Sequence, residues 1–284
     1  MKKKSIKIII AAMVATMSMG IFAGCGSKNT GDGASSEGSK SATITISGST
    51  SIGPLMEKEA AAYKKENFNV NIEIQQIGSS AGIKNAISGV SEIGMASREL
   101  KDEEKAEVKE TVIAFDGIGL IVHPNNTATN LTMDQIKQIY TGKITNWKEV
   151  GGKDAPIVVV SRDESSGTRS AFQELVDFTS EELEKSSTIA DGNGSVKTTV
   201  ATNENAIGYV SFETVDTSVK ALTVDKVEPT PENVLAKTYP LSRPFILVYK
   251  DAKITEEGKK FIDYILSDAG QTIVEEAGGI KLGK

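Results

Sequence analysis

Four short segments place small hydroxyl residues or arginine directly after a predicted strand. They are "GSTS" at 48–51, "GSS" at 78–80, "ASR" at 96–98 and "RDESSGT" at 162–168. A helix N terminus presents unpaired N–H groups and a positive dipole end. Hydroxyl groups add donors, and arginine adds a planar fork that suits a tetrahedral oxyanion. Together the four segments have the chemistry of an anion-binding site.

The segments differ in how specifically they point to a ligand. "GSTS" and "GSS" are also explained by ordinary helix capping and turns. "RDESSGT" is more specific, since a cap needs one hydroxyl and no arginine, although Arg162 could instead pair with Asp163 or Glu164 at the surface.

The use of arginine favours the anion site, because the chain has only four arginines among its 32 cationic residues. Arg98 and Arg162 both follow predicted strands. We expect Arg169 and Arg243 to have structural or surface roles instead.

Residues for catalysis or for a metal site are scarce. The chain has one His and one Cys, too few for a structural zinc site or a disulfide framework. His123 is the only candidate base for a serine hydrolase, and neither a "GxSxG" elbow nor a phosphate-binding P-loop occurs. We therefore predict a binding protein with no enzymatic activity and no cofactor.

The elements that position these segments alternate along the chain. Strand patterns such as "ATITI", "NVNIEIQQI", "SEIGMAS" and "PIVVV" are each followed by a helical pattern, including one over 98–108. This alternation predicts an α/β fold with mixed, mostly parallel sheets. In such sheets, ligands bind outside the carboxyl ends of the strands, which is where the four segments lie.

The N terminus has the pattern of an export signal. A basic start and an apolar run end at "FAGC", which is similar to a bacterial lipoprotein signal and predicts removal of residues 1–24 and lipid modification of Cys25. Residues 25–41 are rich in Gly and Ser and predict a flexible tether. Loss of four lysines leaves 28 cationic against 38 acidic residues, a net charge of −10, which argues against nucleic-acid binding.

The motifs, taken in order, resemble the phosphate-binding proteins of ABC transporters, the PstS type. The similar stretches are "SGSTSIGPLMEK", "IGSSAGIKNAI", "IGMASRELKDEE", "IYTGKITNWKEVGG", "VVSRDESSGTRSAF" and "NAIGYVSF". The likeness extends from about Ala42 to the C terminus. It implies a periplasmic-binding-protein-like fold with two lobes, one of residues 42–115 and 243–284 and one of 116–242, joined by two crossing strands with the phosphate between them.

The resemblance also implies site residues by position. The expected phosphate ligands are Thr50, Ser51, Ser79, Arg98, Arg162, Ser166, Gly167 and Thr168. Glu164 corresponds to an acid that pairs with the loop arginine and supports it.

Arg98 departs from the family pattern, which has an aspartate that accepts the proton of bound phosphate. Sulfate lacks that proton at neutral pH, so such an acceptor selects phosphate. We expect Asp116, within the apolar segment "VIAFDGIGLIV", to act as the replacement acceptor. The alternative is that Asp116 pairs with Arg98 or Arg162 structurally.

The resemblance implies an extracytoplasmic, membrane-anchored monomer that captures inorganic phosphate and delivers it to ABC permease subunits. Three alternatives stay open: a receptor for sulfate, molybdate or a phosphonate, a phosphate-ester hydrolase that uses Ser166 or Thr168, and a phosphate sensor or surface adhesin.

Overall fold

The computed structural model describes residues 42–283, in which strands and helices alternate. The strands are β1 Ala42–Gly48, β2 Val70–Gln76, β3 Ile93–Ala96, β4 Lys109–Val122, β5 Asn130–Leu131, β6 Val158–Arg162, β7 Thr188–Ala190, β8 Ala206–Ser211, β9 Lys220–Ala221, β10 Thr223–Val224 and β11 Ser242–Tyr249. The α-helices are α1 Gly53–Glu66, α2 Ser79–Ser88, α3 Asp102–Lys105, α4 Met133–Tyr140, α5 Gly167–Val176, α6 Asn193–Ala201, α7 Pro231–Leu235, α8 Glu256–Leu266 and α9 Asp268–Glu276. Short 3-10 helices cover Trp147–Val150 and Phe212–Thr214.

The main sheet follows the order β2-β1-β3-β11-β4-β8-β6-β7. The outer pairs β1–β2, β1–β3, β6–β8 and β6–β7 are parallel, whereas every pair formed by the central strands β4 and β11 within this sheet is antiparallel. Parallel strands point their carboxyl ends to one edge, so the loops after β1, β2 and β3 meet there, as do those after β6 and β7.

The apolar core falls into two sets of buried side chains on either side of β4 and β11. One set is drawn from residues 44–114 and 245–277. The other is drawn from 118–241, with Ile280 as an addition from the C terminus. β4 supplies residues to both sets, because its 14 residues run through the middle of the sheet. All described residues belong to one compact unit.

Helix α1 shows how the pattern produces an element. Its buried positions Leu55, Met56 and Tyr63 recur at helical spacing, and a proline lies in the first turn, where no N–H partner is lost. Two lysines in the last turn face the negative end of the helix dipole. The helix therefore packs one apolar face and leaves the other to solvent.

The predicted helix over 98–108 is wrong in extent, because only Asp102–Lys105 is helical. Lys101 has an extended backbone, and its N–H donates to the Glu104 carboxylate at 2.9 Å. This capping starts the helix late, and β4 begins at Lys109 soon after it.

Two further observations concern residues 42–283 alone. In this range no helix is both long and apolar enough to cross a membrane. The same range contains no group of three or more His, Cys, Asp or Glu side chains suited to hold a metal ion. The predicted signal, the tether and Cys25 lie outside the described residues.

Candidate anion-binding site

Seven residues predicted from the sequence lie close together at the carboxyl ends of the parallel strands, and we call them the cage. The cage residues are Thr50, Ser51, Ser79, Arg162, Ser166, Gly167 and Thr168. Thr50 and Ser51 follow β1, Ser79 follows β2, and the others lie at the junction of β6 with α5. All are buried except Thr50, which is partly exposed.

The hydroxyl of Ser51 is the centre of the hydrogen bonding in the cage. Its Oγ lies 2.9 Å from Thr168 Oγ1, and it accepts from Asn193 Nδ2 at 2.9 Å. It also accepts from Arg243 Nη2 at 3.0 Å. Ser51 lies in the part of the chain that forms one core set, residues 44–114, and Thr168 lies in the part that forms the other, residues 118–241. The hydrogen bond between them therefore connects these two parts of the molecule.

Arg162 supplies a buried positive charge to the cage. Its side chain is 1% exposed, and the nearest carboxylate, on Asp163, lies 3.7 Å from Nη2. The guanidinium donates to Thr50 Oγ1 at 3.2 Å, and its other partners are carbonyl or amide oxygens, at Ala190, Asp191 and Asn193. Burial lowers the pKa of Arg162, and the Asp163 charge offsets that only in part. A bound anion would compensate the desolvated cation.

The start of α5 packs directly on the loop after β2. Ser166 caps this helix by accepting from Arg169 N at 3.2 Å, which leaves its hydroxyl proton free to donate elsewhere. A Cβ placed on Gly167 would lie 2.1 Å from Ser79 Oγ, so only glycine permits this approach. The start of α5 is thereby held against the Ser79 side chain.

Two more helices begin at this edge without a side-chain cap. Gly78 precedes α2 and Gly192 precedes α6, and neither helix has a side-chain hydrogen bond at its N-cap. Gly78 has a φ of +90°, a conformation that glycine adopts without strain. Ser80 N, in the first turn of α2, donates to Ser165 O, and the remaining uncapped N–H groups are donors of the kind that can bind an anion.

The structure does not bring the Arg98 side chain into the cage. Both of its Nη atoms lie 2.8 Å from the two carboxylate oxygens of Glu104, and Nη1 also donates to Glu99 O. Ser80 is 3.5 Å from Nη2. Burial raises the pKa of Glu104, but the bond and the charge of Arg98 outweigh this and hold it below its usual value. The fork predicted to hold an anion is therefore engaged by a carboxylate of its own chain.

Asp116 was predicted to accept the proton of bound phosphate, but donors of the chain already occupy both of its carboxylate oxygens. Oδ2 accepts from Arg243 Nε at 3.0 Å and Nη2 at 2.8 Å. Oδ1 accepts from Ser211 Oγ and from Phe212 N. Asp116 and Arg243 are direct partners across β4 and β11. The carboxylate pairs structurally, though with Arg243 rather than with the two arginines considered from the sequence.

The acid next to the loop arginine is Asp163, whereas Glu164 is exposed and makes no ion pair among the described residues. Asp163 Oδ1 also accepts from the backbone N–H and the hydroxyl of Ser165. The supporting position predicted for Glu164 is thus held by its neighbour.

Three residues that contact the cage were not predicted as ligands from the sequence: Ser97, Asn193 and Arg243. Ser97 Oγ bonds with Ser49 Oγ at 2.9 Å and lies 3.3 Å from Ser79 Oγ. Asn193 stands in "ADGNGS" after β7, a fifth glycine-rich junction of the same kind, and this signal could have found it. Arg243 is 3% exposed and donates to Ser97 O and Ser51 Oγ, which no local pattern in "SRPFILVYK" indicates.

Comparisons with known proteins place this geometry among phosphate-binding proteins. The model of the PBP superfamily domain matches residues 33–269. The chain is 34% identical to the phosphate-binding protein PstS of Bacillus subtilis, over 99% of this chain and 95% of that protein. It is 33% identical to PstS of Borreliella burgdorferi, over 84% of this chain and 90% of that protein.

Solved structures agree with the sequence relatives. A protein from Clostridium perfringens, assigned as a phosphate ABC transporter substrate-binding protein and solved with bound phosphate, is 63% identical with a TM-score of 0.84. The match covers 85% of this chain and all of that one. An ABC-type phosphate transport receptor from Vibrio cholerae is 38% identical with a TM-score of 0.74, over 84% of this chain and all of that one. The predicted periplasmic-binding-protein-like fold is confirmed.

Proposed function

The chain belongs to the PstS family of phosphate-binding proteins, and from this premise we propose that it binds one inorganic phosphate in the cage and delivers it to an ABC importer. The observation that carries the proposal is Arg162, a buried guanidinium whose nearest carboxylate is 3.7 Å away, within a group of hydroxyl donors. The proposed ligands are the cage residues, joined by Asn193 and Arg243, and exclude Arg98.

The cage suits a doubly charged tetrahedral anion. Hydroxyls from Thr50, Ser51 and Thr168 and the fork of Arg162 approach from different elements, so donors surround the bound oxygens. Each charge-assisted hydrogen bond contributes about 1.5–3 kcal/mol. After the anion's desolvation is subtracted, a dissociation constant near or below about 1 μM is expected.

We propose two lobes, residues 42–115 with 243–284 and residues 116–242, which close on the anion. Three features support this division: the two core sets, the crossing strands β4 and β11, and the contact between Ser51 and Thr168. Closure would bury the anion and bring the donors from both lobes together.

We also propose the cellular setting predicted from the sequence. In this proposal residues 1–24 are removed, Cys25 carries the lipid, residues 25–41 form the tether, and the receptor faces the outside of the membrane as a monomer. The family is one of transport receptors, and we propose that the chain has no catalytic activity and uses permease subunits as partners.

Titration calorimetry with phosphate and then sulfate, on protein stripped of bound anion, tests the function. One-to-one phosphate binding without sulfate binding is the expected result. Binding of sulfate alone, or of both anions equally, would mean that the cage is a general oxyanion site. Release of nitrophenol from nitrophenyl phosphate, abolished in a Ser166→Ala or Thr168→Val variant, would mean that the chain is a hydrolase.

A further inference from the structure

The hydrogen bonds within the cage determine which of its oxygen atoms can accept a proton from a ligand. Inorganic phosphate keeps a proton at neutral pH and sulfate keeps none, so a site that selects phosphate needs an acceptor beside its donors. A hydroxyl group has one proton to donate and two lone pairs that accept. Its partners in the chain therefore decide which of these it can still offer to an anion.

The Ser51 hydroxyl can only donate. Its Oγ accepts from Asn193 Nδ2 at 2.9 Å and from Arg243 Nη2 at 3.0 Å, and these two bonds occupy both lone pairs. The contact of 2.9 Å with Thr168 Oγ1 must then be a donation by Ser51. The Thr168 hydroxyl proton is left to donate to an anion.

The Ser79 hydroxyl can only donate for the same reason. Ser97 Oγ accepts from Ser49 Oγ at 2.9 Å and from Arg243 Nη1 at 3.2 Å, so its own proton goes to Ser79 Oγ at 3.3 Å. Ser79 Oγ also accepts from Ser97 N at 3.1 Å. Arg243 thus sets the direction of the hydrogen bonds that lead to both cage serines.

The other cage hydroxyls, on Thr50, Ser166 and Thr168, each accept one hydrogen bond from the chain and keep one lone pair. Each also keeps its proton. Donation to a charged phosphate oxygen is a charge-assisted bond and is stronger than acceptance from a neutral P–OH group. We therefore expect these three hydroxyls to act as donors.

The Asp163 carboxylate is an acceptor near Arg162, at 3.7 Å from Nη2. One of its oxygens accepts from the backbone N–H and the hydroxyl of Ser165. The side chain is 33% exposed, so water competes for the other oxygen.

The Asn193 side-chain oxygen differs from all of these, because it is buried, can accept and cannot donate. Asn193 begins α6 and is 5% exposed. Its Nδ2 donates to Ser51, and its Oδ1 lies 3.4 Å from Arg162 Nη1. A reversed amide would place Nδ2 against the guanidinium, which has no acceptor, so the orientation is fixed. The long contact with Nη1 leaves a lone pair of Oδ1 for a ligand.

We propose that Asn193 Oδ1 accepts the proton of bound phosphate and thereby makes the site select phosphate over sulfate. The amide lies between Ser51 Oγ and Arg162 Nη1, so an anion that contacts both groups lies beside it. A sulfate oxygen at the same place would meet a lone pair and no donor. The inference rests on the proposed function and assigns the residue that determines its specificity.

Titration calorimetry of Asn193→Leu, on protein stripped of bound anion, tests the inference. Leucine has nearly the shape of asparagine but no acceptor, so the proton of bound phosphate loses its partner. The ratio of phosphate to sulfate affinity should fall by about tenfold or more. Loss of the bond to Ser51 affects both anions and cancels in this ratio. Competition with phosphate measures the sulfate affinity even where sulfate binds weakly.

Two matched variants separate an acceptor from a structural role. Asn193→Asp keeps an acceptor on a side chain of the same length; its charge should weaken both anions, but the ratio should fall by less than about threefold. Thr168→Val removes a cage hydroxyl that donates to either anion, so both should weaken and the ratio should again change by less than about threefold.

If Asn193→Leu does not fold, which thermal unfolding would reveal, Asn193→Ala replaces it with the same expected fall in the ratio. An unchanged ratio in that variant would overturn this inference alone. So would an equal fall in Asn193→Asp, in Thr168→Val or in Asp163→Asn, because the acceptor would then lie elsewhere. Absence of phosphate binding by the unsubstituted protein would overturn the proposed function itself.

Discussion

Arg98 and Arg162 occupy equivalent places in two parts of the same sheet, yet their surroundings differ. Each stands at or just after the end of a strand, and they are 4% and 1% exposed. Glu104 engages both Nη atoms of Arg98 at 2.8 Å, whereas Arg162 has its nearest carboxylate at 3.7 Å. The comparison teaches that a buried arginine stays available to bind an anion when its own chain compensates its charge only in part.

The largest effect is expected from removal of the Arg162 charge, which Asp163 compensates only in part. Arg162→Met should weaken phosphate binding by about a hundredfold or more, because at least one charge-assisted fork contact, worth about 3 kcal/mol, is lost. Titration calorimetry measures the dissociation constant. Arg98→Met is the matched control, and the comparison fails if the two variants lose phosphate affinity equally.

The control variant Arg98→Met should lower the stability of the fold, because Arg98 has a structural role. Arg98→Met leaves the largely buried Glu104 without its partner, and the free energy of unfolding should fall by about 3 kcal/mol. Phosphate affinity should change by less than about threefold, since the side chain lies outside the cage. Urea unfolding measures the stability, and unchanged stability would contradict the assigned role.

Arg243 is a third buried arginine: it forms an ion pair with Asp116 and also donates to Ser51 in the cage. Asp116→Asn tests the role of this ion pair. The substitution should lower the free energy of unfolding by about 2 kcal/mol, because the buried guanidinium loses its counter-charge. The ratio of phosphate to sulfate affinity should stay constant, since the donors around Asp116 already occupy both oxygens. Calorimetry with both anions decides this, and a relaxed ratio would restore the acceptor role predicted from the sequence.

Two acids differ in the same way: Glu104 is paired with an arginine, whereas Glu59 has no partner. Glu59 is fully buried, neither carboxylate oxygen has a hydrogen-bond partner, and burial raises its pKa to about 8. Since the folded state holds this proton more tightly than the unfolded state, stability should fall by about 1 kcal/mol between pH 7 and 9. The pKa of Glu104 is lowered in the folded state, so its contribution to the free energy of unfolding should be lost as the pH falls.

Urea unfolding at pH 7 and pH 9 measures the effect of Glu59. Glu213 also titrates near 8, so the comparison with Glu59→Gln isolates the contribution of the core acid. If this variant loses as much stability as the unsubstituted protein, Glu59 is not the cause.

The smallest effect is expected at Glu164. Glu164→Gln should change phosphate affinity by less than about twofold, because an exposed side chain without an ion pair contributes little to the field at Arg162. A tenfold loss in the same calorimetric assay would show that Glu164, and not Asp163, supports the loop arginine.

The strand-to-helix junctions could be predicted from the sequence because they follow local rules. Apolar strands, turn glycines and capping hydroxyls can each be recognised within a stretch of about ten residues. These patterns placed Thr50, Ser79 and Thr168 at strand-to-helix junctions on one edge of the sheet, where the structure has them. Arg98 was placed at the right junction, but its side chain turns to Glu104, six residues later, and no pattern in the strand indicates that choice.

Contacts between residues far apart in the chain could not be predicted from the sequence. Asp116 and Arg243 are 127 residues apart, and only the antiparallel register of β4 and β11 makes them partners. Asp163 and Glu164 are adjacent acids on one loop, and the backbone conformation alone decides which one faces Arg162. Such choices depend on tertiary structure rather than on residue type.

A crystal structure of the protein with bound phosphate would test the central claim most directly. The account predicts one anion within hydrogen-bonding distance of Arg162, Ser51 and Thr168, with Arg98 still paired to Glu104. An anion bound by Arg98, with Glu104 displaced and Arg162 left to its carbonyl partners, would contradict it.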